Sequence, residues 1–202
     1  MNITTLLIYL HAASGMTALT AGTVAMISRK GNDVHKKSGR IFYFAMMMVC
    51  VTGIAVSLMK STWFLLMLGI FSGFQAYCGY RAIQNKSLRY SNVDKIVLVI
   101  NWINTLVMIA TMKLVLVVFG IISLLLSIGQ TQLWKSSAQQ KTLPPKLWLR
   151  QHIGMMIGAY IAAFTAFLVV NITFLQPAWV LWLAPTAVFV PLLIYWTRKW
   201  TN

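Results

Sequence analysis

The chain contains three histidines, and each lies at a position from which its side chain could contact a bound molecule. His11 is about eight residues inside the first apolar run, roughly 12 Å below its outer end at 1.5 Å per residue. His35 is predicted in the basic loop after that run, and His152 opens a later apolar run. Ionisable side chains within a bilayer are costly, so each is a candidate functional residue. An imidazole at these positions binds a ligand, ligates a metal or hydrogen-bonds to a neighbouring helix.

Cationic side chains accompany two of these histidines. Arg40 follows His35 in the segment HKKSGR, and Arg150 precedes His152 in LRQHIG. All four residues are predicted near the inner membrane surface. There they could hold an anionic headgroup or a phosphate-bearing ligand, with arginine supplying a bidentate fork. Ordinary anchoring at the interface is the alternative.

Uncharged polar side chains also occur within the apolar runs. They are predicted to cluster in the inner half of the bundle, and they are Gln75, Asn101, Asn104, Gln130 and Tyr160. Such side chains commonly hydrogen-bond across helices and hold them together. They could equally line a pocket for a polar headgroup or a quinone-like carbonyl, and the sequence leaves both functions open.

The chain offers little for catalysis. Its two acidic residues, Asp33 and Asp94, lie outside the predicted spans, so no carboxylate-based proton relay is expected. No P-loop, nucleophile elbow or GxGxxG motif occurs, and no catalytic residue is predicted. The most specific cofactor hypothesis is a haem b whose iron is ligated by two histidines, with His11 and His152 as candidate ligands. The helical rise separates these two by roughly 20 Å along the membrane normal, which counts against a shared iron.

Composition indicates the setting in which these residues act. Of 202 residues, 59% are hydrophobic and 9% are charged, whereas about a quarter of a soluble domain is charged. So few charges cannot cover a core of this size with a solvated surface, so the apolar surface must face lipid. The sequence therefore predicts one integral membrane domain, an all-α bundle of transmembrane helices.

Seven apolar runs are long enough to cross a bilayer, which takes about 20 residues each. Only Lys113 divides the fourth from the fifth, but a single helix over both would be nearly twice too long. The predicted spans are 3–27, 41–59, 63–80, 96–112, 114–134, 151–171 and 178–197.

The basic residues predict the orientation. Connections after the first, third and fifth spans carry five, four and four Lys or Arg, and the C-terminal tail carries two. Those after the second and fourth carry one each, and the connection after the sixth carries none. The positive-inside rule then places the N-terminus outside and the C-terminus in the cytoplasm. The net charge of +15 is explained by topology and attraction to anionic lipid headgroups, without nucleic acid.

Both ends of the chain carry motifs that resemble a known family. The segments are HAASGMTALTAGTVAMISRKGNDVHKKSGRIFYFAM, LRQHIGMMIGAYIAAFTAFLVVN and WLAPTAVFVPLLIYWTRK. They are similar to a family of bacterial predicted integral membrane proteins of unknown function. The resemblance implies a multi-pass protein of the bacterial inner membrane and brings no known activity. Its pattern marks His11, His35, Gly39, Arg40, Arg150 and His152 for testing.

The sequence favours a protein that binds a small ligand, lipid or cofactor within its bundle. His11 is expected to line the central cavity, with Arg40, Arg150 and His152 at an anionic group on the cytoplasmic side. Two alternatives remain open: a haem b redox protein, and an assembly or structural partner of another membrane complex. Whether a reaction is catalysed, and whether the chain forms a homo-oligomer, is left undecided.

Overall fold

A computed structural model describes residues 2–201, which form seven α-helices and no β-strand. This confirms the all-α fold and the predicted number of helices. The helices are α1 (Ile3–Ile27), α2 (Asp33–Met59), α3 (Trp63–Gln84), α4 (Asn92–Ala110), α5 (Leu114–Ala138), α6 (Leu147–Asn171) and α7 (Trp179–Thr201). Because α1, α3, α5 and α7 finish in basic residues or basic loops, we call that end of the bundle the basic end.

Six of the seven helices are long and apolar enough to cross a membrane, which makes the chain a multi-pass membrane protein. The remaining helix, α3, packs against α2, α4 and α6. It contributes one buried side chain to each of three core clusters: Phe71, Phe74 and Ala76. A helix enclosed by others meets little lipid, so α3 can carry more polar residues than its neighbours.

Helix α2 begins eight residues before the predicted span. Asn32 caps it, because the Asn32 side chain accepts from the backbone N–H of His35 at 2.8 Å. Asp33 adds a negative charge in the first turn, where the helix dipole favours it. His35 therefore lies in the first turn of a helix, and the prediction that it lies in a loop was wrong.

The fourth and fifth helices are separate in the structure. Helix α4 ends at Ala110 and α5 begins at Leu114. Between them Met112 has a φ of 54°, in the left-handed region that non-glycine residues rarely adopt. The chain therefore turns at this point, and one long helix does not form.

Glycines allow two close helix contacts. A Cβ on Gly158 of α6 would lie 1.9 Å from Oε1 of Gln75 on α3, and one on Gly22 of α1 would lie 2.6 Å from the ring of Tyr160 on α6. Helices in lipid depend on such close packing because no hydrophobic force drives them together. Other glycines of the same helices make no such contact, since a Cβ on Gly15 of α1 or Gly154 of α6 would meet nothing within 4 Å.

The carboxylate of Asp94 connects α3 to the start of α4. It accepts from Tyr77 Oη at 2.6 Å, from Arg81 Nε at 3.0 Å and from Arg81 Nη2 at 3.2 Å. The backbone N–H and hydroxyl of Ser91 both donate to it at 2.7 Å, which completes a capping box. One buried carboxylate thereby satisfies donors from two helices and neutralises the partly exposed guanidinium of Arg81.

Replacing Asp94 with alanine should lower the free energy of unfolding by roughly 3 kcal/mol, because Arg81 and Tyr77 then lose their partner in a half-buried site. Unfolding in detergent, followed by circular dichroism, measures the loss. Asp33→Ala is the matched control, since Asp33 is the other acidic residue and is exposed; its effect should stay within about 0.5 kcal/mol. Equal losses in the two variants would contradict the assigned role of Asp94.

Candidate functional site

His11 is held against α2 by its own hydrogen bonds. Its Nδ1 lies 3.0 Å from the carbonyl oxygen of Val49 and 3.2 Å from Oγ1 of Thr52. Gly53 makes room for the ring, since a Cβ there would lie 3.1 Å from Cε1 of His11. The position of the imidazole is thus fixed by α2 and does not depend on a bound molecule.

The ring of His11 lies on the wall of a cavity of about 310 Å³. The cavity is lined by side chains of α1, α2, α3, α5, α6 and α7. Its wall is mainly aliphatic and aromatic, and the aromatic members are Phe71, Phe119 and Trp182. Cavities of this size that are lined by apolar side chains with few polar groups are typical of small-molecule sites.

Thr165 on α6 also lines the cavity and is 1% exposed. Its hydroxyl makes no hydrogen bond to any residue from 2 to 201. Most threonines within these helices donate to the carbonyl four residues earlier, as Thr52 does to Met48 and Thr105 does to Asn101. Thr165 does not make this bond, so its hydroxyl is an unsatisfied polar group in the wall of an apolar site.

The other polar residues predicted as candidates lie away from this cavity. Asn101 donates to Ser123 at 3.0 Å and Ser127 at 2.9 Å, which joins α4 to α5. Three more make contacts between helices: Asn104 donates to the Met67 carbonyl, Tyr160 hydrogen-bonds to Thr23, and Gln75 packs on Gly158. In the described structure these side chains hold helices together and do not line the site.

Gln130 belongs to a chain of hydrogen bonds at the basic end. Tyr90, in the loop before α4, donates to Oε1 of Gln130. Nε2 of Gln130 donates in turn to Oε1 of Gln151 at 2.7 Å. Burial raises the pKa of Tyr90, so its hydroxyl stays protonated and remains a donor.

His35 and His152 meet at the basic end of the bundle. Their ring centroids are 6.4 Å apart and their planes are nearly perpendicular, at 86°. His35 Nδ1 donates to the Ala25 carbonyl and His152 Nδ1 donates to the Gly79 carbonyl, each at 2.9 Å. Metal-ligating histidines are oriented by such bonds, but no third His, Cys, Asp or Glu joins them within residues 2–201.

The surroundings of this pair are cationic. Lys30 donates to the carbonyls of Ala25 and Met26 at the end of α1, and burial lowers its pKa. Arg40 and Arg150 are exposed, and neither has a salt bridge to a residue described here. The predicted anion site, Arg40, Arg150 and His152, thus lies at the cationic basic end of the bundle. Both arginine side chains are exposed there.

The structure separates His11 from His152. His11 contacts α2 at Val49, whereas His152 contacts α2 at His35. These positions differ by fourteen residues in the same helix, which corresponds to about 20 Å at 1.5 Å per residue. A haem iron bound by both His11 and His152 does not fit this arrangement.

Several residues of the cavity were not anticipated from the sequence. Gly53, Thr165 and Trp182 lie in apolar runs without a motif that distinguishes them. The spacing of small residues on α6 predicts a face that packs on other helices, but it does not show which neighbours leave a void.

Thr165→Val should leave the free energy of unfolding of the ligand-free protein unchanged or raise it by up to about 1 kcal/mol, because the hydroxyl it removes has no partner. Thr105→Val is the matched control. Thr105 is 0% exposed and its hydroxyl is bonded to Asn101 and Ser123, so its loss should cost about 1–2 kcal/mol. Thermal unfolding in detergent compares the two; a larger loss for Thr165→Val would show that its hydroxyl is bonded.

Comparison with protein-family models, with curated proteins and with solved structures finds no match to this chain. Its function is therefore inferred from the cavity beside His11 and from the histidine pair at the basic end.

Proposed function

We propose that this protein binds a small apolar molecule from the bilayer in the cavity beside His11. The observation that carries the proposal is the cavity itself: about 310 Å³ of space between six helices, with a mostly apolar wall. A void of this size in a close-packed bundle costs stability, because its wall atoms lose packing contacts. A bound molecule would restore those contacts.

The mouth of the cavity supports uptake from lipid. Ile8, Leu65 and Val170 belong to its wall, yet these side chains are 41%, 51% and 75% exposed. In a membrane, exposed aliphatic side chains face hydrocarbon. A lipid-soluble molecule could therefore reach His11 without crossing water.

We further propose that the mouth faces the outer leaflet. It lies near the start of α1 and the end of α6, opposite the basic end, and the positive-inside rule puts basic loops in the cytoplasm. Lysines over tryptophan rings at the basic end are consistent with an interface there. These pairs are Lys86 over Trp148 at 4.8 Å, Lys30 over Trp196 at 5.6 Å and Lys95 over Trp134 at 5.9 Å.

The family resemblance supports the bacterial inner membrane as the location. At the cytoplasmic side, the exposed guanidinium groups of Arg40 and Arg150 would bind anionic lipid headgroups close to His35 and His152. This contact anchors the bundle and is separate from the cavity. An assembly role with another membrane protein stays a prediction of the sequence.

The orientation predicts where fused reporters function. Alkaline phosphatase, which folds only outside the cytoplasm, should be inactive when fused after Thr201, and green fluorescent protein should fluoresce there. Fusion of the phosphatase after Lys60, between α2 and α3, should give high activity. Phosphatase activity at the C-terminal position would contradict the proposed orientation.

Filling the cavity should prevent binding. Ala162 and Ala166 line it from α6, so Ala162→Phe and Ala166→Phe should remove at least 90% of any lipid-soluble molecule that co-purifies with the wild-type protein. Mass spectrometry of solvent extracts measures this amount. Ala12→Phe is the matched control, because Ala12 is exposed on α1 and does not line the cavity. Equal extracts from all variants would count against the cavity as the binding site.

A further inference from the structure

The hydrogen bonds of His11 determine which ring nitrogen carries the proton. The Val49 carbonyl oxygen is only an acceptor, so Nδ1 must be the donor in their 3.0 Å contact. Thr52 agrees with this assignment: its hydroxyl donates to the Met48 carbonyl at 2.7 Å, which leaves its oxygen to accept from Nδ1. In the neutral imidazole, Nε2 therefore carries a lone pair and is an acceptor.

No residue from 2 to 201 donates to this acceptor, because the hydrogen bonds of the His11 ring are all made through Nδ1. No described Asp or Glu lines the cavity, so a charged imidazolium there would lack an anionic partner. An acceptor at the wall of an apolar cavity loses free energy unless a donor meets it. An occupant that brings a hydrogen-bond donor to His11 would therefore gain free energy from pairing with Nε2.

The shape of the cavity adds a second requirement. Its wall includes Met46 and Ser57, eleven residues apart on α2, so it extends about 16 Å along that helix. Phe71, Phe119 and Trp182 contribute aromatic faces to the wall. An elongated apolar molecule, with a ring or a chain lying along α2, matches this space.

We infer that the occupant is a lipid-soluble alcohol or phenol whose hydroxyl donates to Nε2 of His11. This inference rests on the proposed function and specifies its ligand class. A ketone, a quinone or an ether of the same shape carries only acceptors. Its oxygen could be met by the unpaired hydroxyl of Thr165, but not by Nε2 of His11, which would stay without a donor. A site built around an unpaired polar group discriminates strongly against analogues that cannot pair with it.

A matched pair of probes tests the inference on the purified wild-type protein. 4-Butylphenol and 4-butylanisole share ring and chain, but methylation removes the donor. At equal free concentrations, set by equilibrium dialysis, binding is measured from the rise in thermal unfolding midpoint. The phenol should bind at least tenfold more tightly than the anisole.

Two variants assign the difference to His11. In His11→Asn the amide nitrogen can still donate to the Val49 carbonyl, but no acceptor reaches the position of Nε2, so the preference should fall below twofold. His35→Asn is the matched control at the basic end, where Nδ1 also donates to a carbonyl. It should keep the full preference.

The outcomes separate the ligand class from the proposed function. If both probes bind equally to the wild-type protein and Ala162→Phe abolishes both, the cavity is a binding site and the inferred class is wrong. If neither probe shifts the midpoint, the inference and the proposed function both fail. A preference for the phenol that survives in His11→Asn would also overturn the inference, because the donor would then meet another group.

Discussion

A polar group in the hydrocarbon of a membrane must find its partner within the protein, because no water can replace it. The bundle follows this constraint across its helix interfaces. The amide of Asn101 donates to the hydroxyls of two serines of α5, and the amide of Asn104 donates to a backbone carbonyl of α3. The hydroxyls of Tyr160 and Thr23 join α6 to α1. His11 obeys the same rule through Nδ1 and the Val49 carbonyl. The register of the helices depends on these pairings, since lipid supplies no hydrophobic force between them.

The exceptions to the constraint indicate the functional site. Thr165 has a buried hydroxyl without a partner, and His11 has a ring nitrogen without a donor. Both residues belong to the wall of one cavity. Gln75, Asn101 and Thr186 also have an unpaired buried atom each, but none of them lines that space. Unsatisfied groups that share a cavity favour a bound molecule, whereas isolated ones do not.

Hydropathy predicts most of the fold and little of the site. Seven apolar runs and the break at Lys113 follow from the length a helix needs to cross a bilayer. The position of His35 did not follow, because the Asn32 cap extends α2 beyond its apolar run. Its contact with His152 joins residues far apart in sequence. The cavity depends on the volumes of side chains from six helices. The spacing of residues within a single helix does not predict whether those side chains fill the space between the helices.

The most direct test is an experimental structure of the protein purified in mild detergent or nanodiscs, at a resolution that shows side chains. The account predicts elongated non-protein density along α2, with a polar atom within hydrogen-bonding distance of Nε2 of His11. Nδ1 should remain bonded to the Val49 carbonyl. A bundle in which Phe71, Phe119 and Trp182 collapse into this space, leaving no room beside His11, would contradict it.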